Sequence, residues 1–559
     1  GLLTGVTCKS NATVSHGEVT SSSAKVLSTV SIAYTGTETT LTYDGVRQTI
    51  YKINQNAEQV TASYTLVGGK VSGAERYTYQ GHLLTKTEYA DPSCLNLHTY
   101  AAFASKFAVG SVETVTYNSF EEPVFTETAM YAMPRSSGDC PTESTQTSCT
   151  YNNERKLVSR RTTHQRFDCC VAIDATTVVE AFRYNATGDL VRSERYAEGE
   201  ESLSGVQIEE HFYNDQGYET QTVSYNSLDS SSKLCTECEL DERGRTVASF
   251  DTTGQYQTAF VFDRDDASVR TERLPNGSSF SYGMDRDGAV TAITHSTAEG
   301  EGNSTRKAYT AGLLTELRSG NNIVQYRYDS KRRLQGVSLN GEDSYLTCTY
   351  SGENTDNETA TVTLANGVKS TSVKNLHGSI TKTTIGSQSV TNTYSTTDQK
   401  LEKSVDSVAG TTSYGYNDKG SLTTVSGPGL TESYTYDDDK KTLQSKAVTA
   451  GGVTHTYQYG HRLTAAKELE SITVDGKVVR PTVDVLGRNT GKTVGTTAQT
   501  IIGERISYLK YGDHATNLPG TIRYAKNVNG KMTYTDSTQY RYDCMGNIVE
   551  IMENGRTSC

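Results

Sequence analysis

Two cysteines, Cys235 and Cys238, have the clearest capacity for chemistry in this chain of 559 residues, because they form a C-x-x-C pattern. Thiolates at this spacing can bind zinc or join as a disulfide, and the vicinal pair Cys169 and Cys170 could supply further ligands. A structural zinc site usually shows two matched pairs, whereas the eleven cysteines here follow no regular spacing. We therefore expect scattered thiols or one local disulfide at Cys235 and Cys238, with zinc as the weaker alternative.

The other patterns with catalytic or ligand-binding potential are incomplete. Gly487 to Lys492 resembles a phosphate-binding loop but has three residues between its glycines instead of four. Asp285–Gly288 and Asp437–Asp439 begin like calcium loops but lack the later Glu. The ten histidines form no H-E-x-x-H pattern, and no G-x-S-x-G sequence occurs. The sequence thus predicts turns at these places, and no enzyme activity, cofactor or metal.

A repeated phrase accounts for most of these turns: Tyr-x-Tyr, then Asp or Asn, two residues, Gly, one residue and an aliphatic. Its clearest copy runs from Tyr414 to Leu422, and copies recur every 20 to 24 residues between Tyr394 and Val483. That period holds two strands of ordinary length and two turns. The predicted structural turn residues are Asn185, Gly188, Asn214, Gly217, Asp329, Asn417, Gly420, Asp437, Asp543 and Gly546.

The residue pattern of the phrase predicts an antiparallel hairpin. Alternation along a strand places Tyr414 and Tyr416 on the same face, where each could stack against a tyrosine of the next hairpin. The Asp or Asn side chain caps the turn, and a glycine such as Gly420 supplies the positive φ that reverses the chain. Stacked hairpins of this kind make a long sheet.

The composition favours a broad sheet with moderately polar faces. The chain has 36 Tyr, 11 Phe, 8 Pro and no Trp, and 34% of its residues are hydrophobic. Its mean hydropathy of -0.56 is too low for several thick cores, yet the chain is too regular and tyrosine-rich for disorder. A dry sandwich needs an apolar inner face, so we expect the twisting hairpins to coil around a wet space lined by Tyr, Thr and Ser.

The charge and hydropathy patterns exclude two classes of partner. A net charge of -12 argues against nucleic-acid binding, and the chain has no run of 18 apolar residues that could span a membrane. The chain begins at Gly1 without a charged-then-apolar leader, so we expect a processed product or a fragment. The phrase weakens before residue 176, surviving around Tyr43–Gly45, Tyr77–Gly81 and Tyr151–Asn153. We therefore expect divergent β-rich repeats or a cap over residues 1–175.

The phrase strongly resembles the YD-repeat or RHS-repeat family, and the resemblance covers at least residues 176–559. Its most specific copies are Tyr326–Asp329, Tyr414–Leu422 and Tyr540–Ile548. This family includes bacterial RHS and wall-associated toxins, toxin-complex shell subunits and teneurins. The resemblance implies an all-β fold of repeated antiparallel hairpins, forming a long spiralling sheet that makes a hollow cocoon-like or barrel-like shell, or part of one.

The resemblance also implies a function. We expect a non-enzymatic, secreted or cell-surface scaffold, namely a segment of an RHS-type shell that encloses a C-terminal effector not present in this chain. Toxin members carry an Asp-Pro self-cleavage motif near the end of the shell, whereas the single Asp-Pro here is Asp91–Pro92, so neither proteolysis nor toxicity is carried over. The alternatives are an adhesion module that binds a glycan or protein, as in teneurins, and a structural protein that self-assembles through its sheet edges.

Overall fold

A computed structural model shows an all-β chain built from antiparallel hairpins. It describes residues 3–10, 14–15, 18–19, 25–43, 47–91, 94–95, 99–104, 107–131, 140–168, 170–250, 257–262, 269–285, 288–297, 300–310, 312–352, 355, 357–375, 377–396, 399–417, 420–437, 442–462, 468–511 and 514–558. The features named above that fall wholly or partly outside the described residues include the turns after Tyr43 and Asp437, the centres of Asp285–Gly288 and Tyr414–Leu422, Pro92 and Cys169.

The strands follow one another with few interruptions, and two short helices, α1 (Tyr100–Ala104) and α2 (Glu201–Ser204), lie between them. The first strands are β1 (Gly5–Ser10), β2 (Val14–Ser15), β3 (Glu18–Val19), β4 (Lys25–Thr35), β5 (Glu38–Tyr43), β6 (Arg47–Asn54), β7 (Gln59–Val67), β8 (Lys70–Gln80), β9 (Leu83–Ala90), β10 (Val109–Tyr117), β11 (Pro123–Tyr131), β12 (Pro141–Tyr151), β13 (Leu157–Asp168), β14 (Val171–Tyr184) and β15 (Leu190–Ala197). The next are β16 (Gln207–Tyr213), β17 (Glu219–Asn226), β18 (Asp229–Leu240), β19 (Thr246–Phe250), β20 (Gln257–Phe262), β21 (Val269–Arg273), β22 (Ser279–Met284), β23 (Val290–Thr297), β24 (Gly300–Thr310), β25 (Leu313–Ser319), β26 (Asn322–Tyr328), β27 (Leu334–Leu339), β28 (Glu342–Ser351), β29 (Glu358–Leu364) and β30 (Lys369–Lys374). The last are β31 (Ile380–Ile385), β32 (Gln388–Tyr394), β33 (Leu401–Asp406), β34 (Gly410–Tyr416), β35 (Leu422–Gly427), β36 (Leu430–Asp437), β37 (Thr442–Ala450), β38 (Val453–His461), β39 (Leu469–Val474), β40 (Lys477–Val483), β41 (Asn489–Gly495), β42 (Thr500–Tyr511), β43 (His514–Val528), β44 (Lys531–Tyr542), β45 (Ile548–Glu553) and β46 (Arg556–Thr557).

The chain forms two compact units, each built from stretches far apart in sequence. Unit 1 contains Gly1–Gln146, Gln165–Ile173 and Thr305–Thr431, and unit 2 contains Thr147–His164, Asp174–Ser304 and Glu432–Cys559. The predicted change of repeat quality near residue 175 stays a prediction.

Unit 1 has a hydrophobic core under its N-terminal strands. Alternate residues of β7, namely Ala62, Tyr64 and Leu66, are buried, as expected for a strand with one covered face. Helix α1 covers that face, and its Phe103 is fully buried. The ring of Tyr100 meets that of Tyr64 edge-on, with 5.1 Å between the centroids. This apolar packing gives the N-terminal strands a core that the polar composition of the chain did not predict.

Hairpins of unit 2 pair in sequence order, and one contact joins distant stretches. Strands β16 to β19 form a run of antiparallel neighbours, as do β40 to β45. In addition, β18 pairs parallel with β43 through Lys233 and His514. Unit 2 is therefore a strip of hairpins in which two strands far apart in sequence meet.

The turn in the copy from His211 to Gly217 is a three-residue hairpin loop with a bulge. The N–H of Asn214 donates to the carbonyl of Tyr218 at 2.9 Å, and the N–H of Gly217 donates to the carbonyl of Asn214 at 2.9 Å. Gly217 has a φ of +82°, and the ladder shifts register between Phe212 and Tyr213. A type I turn followed by a left-handed residue produces this geometry. The repeated hairpin predicted from the sequence is confirmed.

Candidate functional site

The Asp or Asn of the phrase stabilises its turn through hydrogen bonds of both its side chain and its backbone. The Oδ1 atom of Asp329 accepts hydrogen bonds from the N–H groups of Lys331 and Arg333, both at 2.9 Å. The same two-bond arrangement occurs at Asn214, Asp484 and Asp543. The left-handed position three residues later belongs to Gly188, Gly217, Gly420 and Gly546 in other copies, but to Arg332 after Asp329. Asp437 ends β36, and its turn lies outside the described residues.

The second tyrosine of the phrase ties each hairpin to the one before it, in a contact that we call the tyrosine clamp. Its hydroxyl donates to the carbonyl of the aliphatic residue that starts the return strand of the preceding hairpin. Tyr416 reaches Leu401 in this way at 2.9 Å, and Tyr328 reaches Leu314 at 2.8 Å. The same bond joins Tyr184 to Leu157, Tyr213 to Leu190, Tyr350 to Leu334 and Tyr394 to Ile380. A related bond joins Tyr542 to Pro519.

The clamp replaces the ring stacking that the sequence predicted between hairpins. The tyrosines of the phrase do share a half-buried face, since Tyr326 and Tyr328 flank the exposed Arg327. Within the described part of the chain, however, the ring pairs in contact involve no two phrase tyrosines. A phenol on a sheet face can place its hydroxyl over the main chain of the next hairpin, and this satisfies a carbonyl that ring stacking would leave open.

A basic residue that closes the turn completes the clamp. Arg333 donates its Nε–H to the Asp329 carboxylate at 2.8 Å, and its guanidinium carbon lies 4.2 Å from the centroid of the Tyr350 ring. Arg488 has the same two partners, Asp484 at 2.8 Å and the Tyr508 ring at 4.5 Å. The arginine thus neutralises the turn acid of its own hairpin and covers the aromatic ring of the next one. Lys156 and Lys400 cover Tyr184 and Tyr416 from the equivalent position.

The meeting of β18 and β43 in unit 2 is built from polar groups, and we call it the closing contact. The ammonium group of Lys510 donates to the hydroxyl of Ser232 at 2.6 Å, across 278 residues of sequence. Arg488 donates through Nη1 to the carbonyl of Thr516 at 2.5 Å, in addition to binding Asp484. Ser232 and Thr516 are each 2% exposed. Because buried polar groups are costly unless hydrogen-bonded, these bonds specify one pairing of the two strands.

Hydrogen bonds and a nearby charge at the closing contact favour the ionised form of Asp229. The hydroxyls of Ser231 and Ser232 donate to the Asp229 carboxylate and, with smaller help from the nearby charge of Lys510, hold the pKa of that carboxyl below its usual range. Asn226 is fully buried beside it and binds the carbonyl of Ser204 and the N–H of Leu228. The site can therefore hold two distant strands together, and its groups are already engaged with one another.

The candidate disulfide or zinc pair, Cys235 and Cys238, is not brought together. Both are free thiols on β18, where no register shift separates them, so their odd spacing points the side chains to opposite faces. Burial raises the pKa of both thiols, which disfavours the thiolate. The disulfide in the structure joins Cys140 to Cys170, with 5.3 Å between their Cα atoms. The two cysteines lie at the open ends of the hairpin β12–β13, and sequence reasoning missed the pair because it did not place these strands side by side.

Among the described residues, no group of three or more His, Cys, Asp and Glu side chains is placed to hold a metal ion. None of the helices described is long and apolar enough to cross a membrane. The predicted loop at Gly487 is the turn that begins at Asp484, and Gly487 takes its left-handed position with a φ of +76°.

The sequence analysis did not identify the basic residues that complete the clamp, Arg333 and Arg488. It also did not identify Lys510 and Ser232, which bond to each other at the closing contact. A sequence pattern could have located the basic residues of the clamp, because a basic residue directly follows the turn glycine or its equivalent at Lys156, Arg245, Arg333, Lys400 and Arg488. No sequence pattern locates the closing contact, since its two strands are brought together by tertiary structure alone.

No protein-family model matches this chain, and no curated protein matches its sequence. Among solved structures, the crystal structure of TcdB2-TccC3-Cdc42 is similar with a TM-score of 0.44 and 9% identity, covering 95% of this chain and 42% of that one. TcdB2-TccC3 without its hypervariable C-terminal region gives 0.45 and 8%, with the same coverage. A Photorhabdus luminescens Tc holotoxin pore gives 0.41 and 9%, covering 95% of this chain and 41% of that one. The chain thus spans about two-fifths of these structures' length, and scores this low assign it neither family nor activity.

Proposed function

We propose that this chain is a non-enzymatic, exported scaffold that forms part of an RHS-type shell around a C-terminal effector. The closing contact is the observation that carries the proposal. A strip of hairpins that stayed open would never bring residues 278 positions apart into hydrogen bonding, as Lys510 and Ser232 are in unit 2. A strip that coils back on itself must make such a contact.

The tyrosine clamp supports the same function. Each clamp joins a hairpin to its predecessor without a thick apolar core, so the strip can be lengthened one hairpin at a time. The polar, half-exposed strand faces suit a wall that meets water on both sides. The repeat phrase adds its resemblance to the YD-repeat family, whose toxin members use such a wall to enclose an effector.

Accessibility to reagents of two sizes tests enclosure. His455 and Thr456 are adjacent exposed residues of β38, in a stretch without a register shift, so they project from opposite faces. We would label His455→Cys and Thr456→Cys with a small maleimide and with a polymer-linked maleimide too large to enter a cavity. The small reagent should label both variants, and the polymer should label one. The parent chain reports background labelling of its native thiols.

Equal polymer labelling of the two variants would contradict the shell and favour an open binding module. A cryo-EM map of the chain gives an independent readout, since a compact sandwich without a cavity would also overturn the proposal. The absence of catalysis is tested separately: a reproducible turnover that disappears when one His or Asp is changed would refute the non-enzymatic part.

A further inference from the structure

One face of β40–β43 in unit 2 places two arginines directly opposite each other. The register across these strands runs from Thr482 to Gly491, from Gly491 to Arg505, and from Arg505 to Arg523. Directly opposite residues share a face of the sheet, and their Cβ atoms lie about 4.5–5.5 Å apart. The two guanidinium groups therefore extend from neighbouring positions of the same face, in a protein whose net charge is -12.

The structure does not neutralise this pair of charges. Among the described residues, no carboxylate forms an ion pair with Arg505 or Arg523, and both side chains are exposed. The nearby acids are engaged elsewhere: Asp484 binds Arg488 at 2.7 Å, and Glu504 faces Lys492 at 3.7 Å. Like charges directly opposite each other destabilise a sheet. An anion that bridges them would remove this cost.

A depression beside the arginines has the size of a ligand site. Its volume is about 590 Å³, within the range typical of small-molecule sites, and both arginines border it. Gly503 borders it in the row next to Arg505, and a Cβ there would meet the Met532 side chain at 3.3 Å. Tyr534, 53% exposed, stands at the edge with its ring centroid 5.7 Å from the Arg523 guanidinium carbon.

We propose that this arginine–tyrosine face, defined by Arg505, Arg523, Gly503 and Tyr534, binds an anionic saccharide. Two adjacent guanidinium groups can hold a carboxylate or sulfate through paired N–H donors. An exposed aromatic ring offers an apolar platform for the C–H face of a sugar, and the hydroxyls of Thr482 and Ser507, which also border the depression, can meet sugar hydroxyls. This site is independent of the shell function proposed above.

Other anionic ligands fit these features less well. A nucleic acid needs a basic stripe that follows many phosphates, and an acidic protein of this composition with one arginine pair does not provide it. An acidic peptide would gain most from main-chain pairing at a sheet edge, but Arg505 and Arg523 lie on strands that are paired on both sides. The two classes are therefore comparison ligands in the test.

Calorimetric titration of the full chain with four probes tests the proposal: trigalacturonate, a sulfated disaccharide, a hexaglutamate peptide and a short single-stranded DNA. We expect one or both saccharides to bind and the other two probes to bind at least tenfold more weakly. Arg505→Gln should raise the Kd for the saccharide at least tenfold while raising the melting temperature, because it removes the repulsion. Arg523→Lys keeps the charge but loses the paired donors and should also weaken binding.

Two controls separate the site from general charge and folding effects. Arg541→Gln removes another exposed arginine of the same unit, paired with Glu550, and should leave saccharide binding unchanged. Tyr534→Phe should retain binding, whereas Tyr534→Ala should lose it. Failure of both saccharides to bind, unchanged binding by Arg505→Gln, or equal or tighter binding of the peptide or DNA would each overturn the assignment.

Discussion

The hydroxyl of Tyr328 donates to the main-chain carbonyl of Leu314 in the preceding hairpin, with 2.8 Å between the two oxygens. This bond distinguishes the two tyrosines of the phrase. Tyr326 shares the half-buried face with Tyr328, but its hydroxyl has no hydrogen-bond partner among the described residues. The second tyrosine therefore joins hairpins, while the first contributes its ring to the sheet face.

Removing the clamp hydroxyl should destabilise the strip. Tyr328→Phe should lower the free energy of unfolding by about 1–2 kcal/mol, because it removes one bond and leaves a part-buried carbonyl unsatisfied. Tyr326→Phe is the matched control and should cost less than about 0.5 kcal/mol. Urea unfolding of both variants measures the difference. Equal effects would show that the clamp bond does not hold the hairpins together.

The turn glycine should tolerate no branched side chain. Gly420 has a φ of +80°, and a Cβ at this position would also approach the Lys400 ammonium group at 2.5 Å. Gly420→Val should cost about 1–3 kcal/mol, chiefly from backbone strain. In the turn after Asp329 the left-handed position is held by Arg332 at +65°, so Arg332→Gly should instead be neutral or stabilising by up to about 1 kcal/mol. Thermal melts that show the same sign for both changes would contradict this.

The turn acid should matter more than the sequence indicates. A single capping bond predicts a cost near 1 kcal/mol for Asp329→Ala, but the carboxylate accepts from two N–H groups and from Arg333. We expect about 2–3 kcal/mol, because the change also leaves the guanidinium without its partner. Asp329→Asn keeps an oxygen for the two N–H groups, as Asn417 does for Ser421, and should cost about half as much. Chemical denaturation ranks the three proteins.

Acid should weaken the fold through the turn carboxylates. Burial raises the pKa of Asp329, but the Arg333 guanidinium and the turn N–H groups lower it by more, so the net pKa lies below its usual range. Because the folded pKa is depressed, the stability that Asp329 contributes is fully present above the unfolded value of about 3.9 and is lost as the pH falls through the folded value. The melting temperature should therefore decrease as the pH is lowered past about 4. Asp329→Asn should show a shallower fall, and an identical acid profile would rule out this contribution.

The cysteines should divide into one structural pair and free thiols. The Cys140–Cys170 bond closes a loop with a sequence separation of 30, so its reduction should cost about 3–4 kcal/mol. Cys140→Ser should melt lower than the parent chain and no longer respond to reductant. Metal chelation should leave the melting temperature unchanged, since Cys235 and Cys238 point to opposite faces. Stoichiometric zinc in the purified protein would refute this last expectation.

Much of this protein is determined by sequence over short distances. The phrase specifies the hairpin, because alternation, a capping Asp or Asn and a residue with positive φ act within a few residues of one another. The copy from His211 to Gly217 adopts the predicted turn. The same local pattern could not show that Tyr416 binds Leu401, because the choice between ring stacking and a hydroxyl bond depends on how neighbouring hairpins are offset.

Only the tertiary structure decided which distant groups meet. The spacing of Cys235 and Cys238 suggested a pair, but their side chains lie on opposite faces of the same strand. The disulfide instead joins Cys140 to Cys170. Lys510 and Ser232 carry no mutual signal in the sequence, since their contact depends on the accumulated twist of the many hairpins between them. Small differences in each hairpin add up over that distance, so local chemistry fixes each repeat while the path of the whole strip fixes its partners.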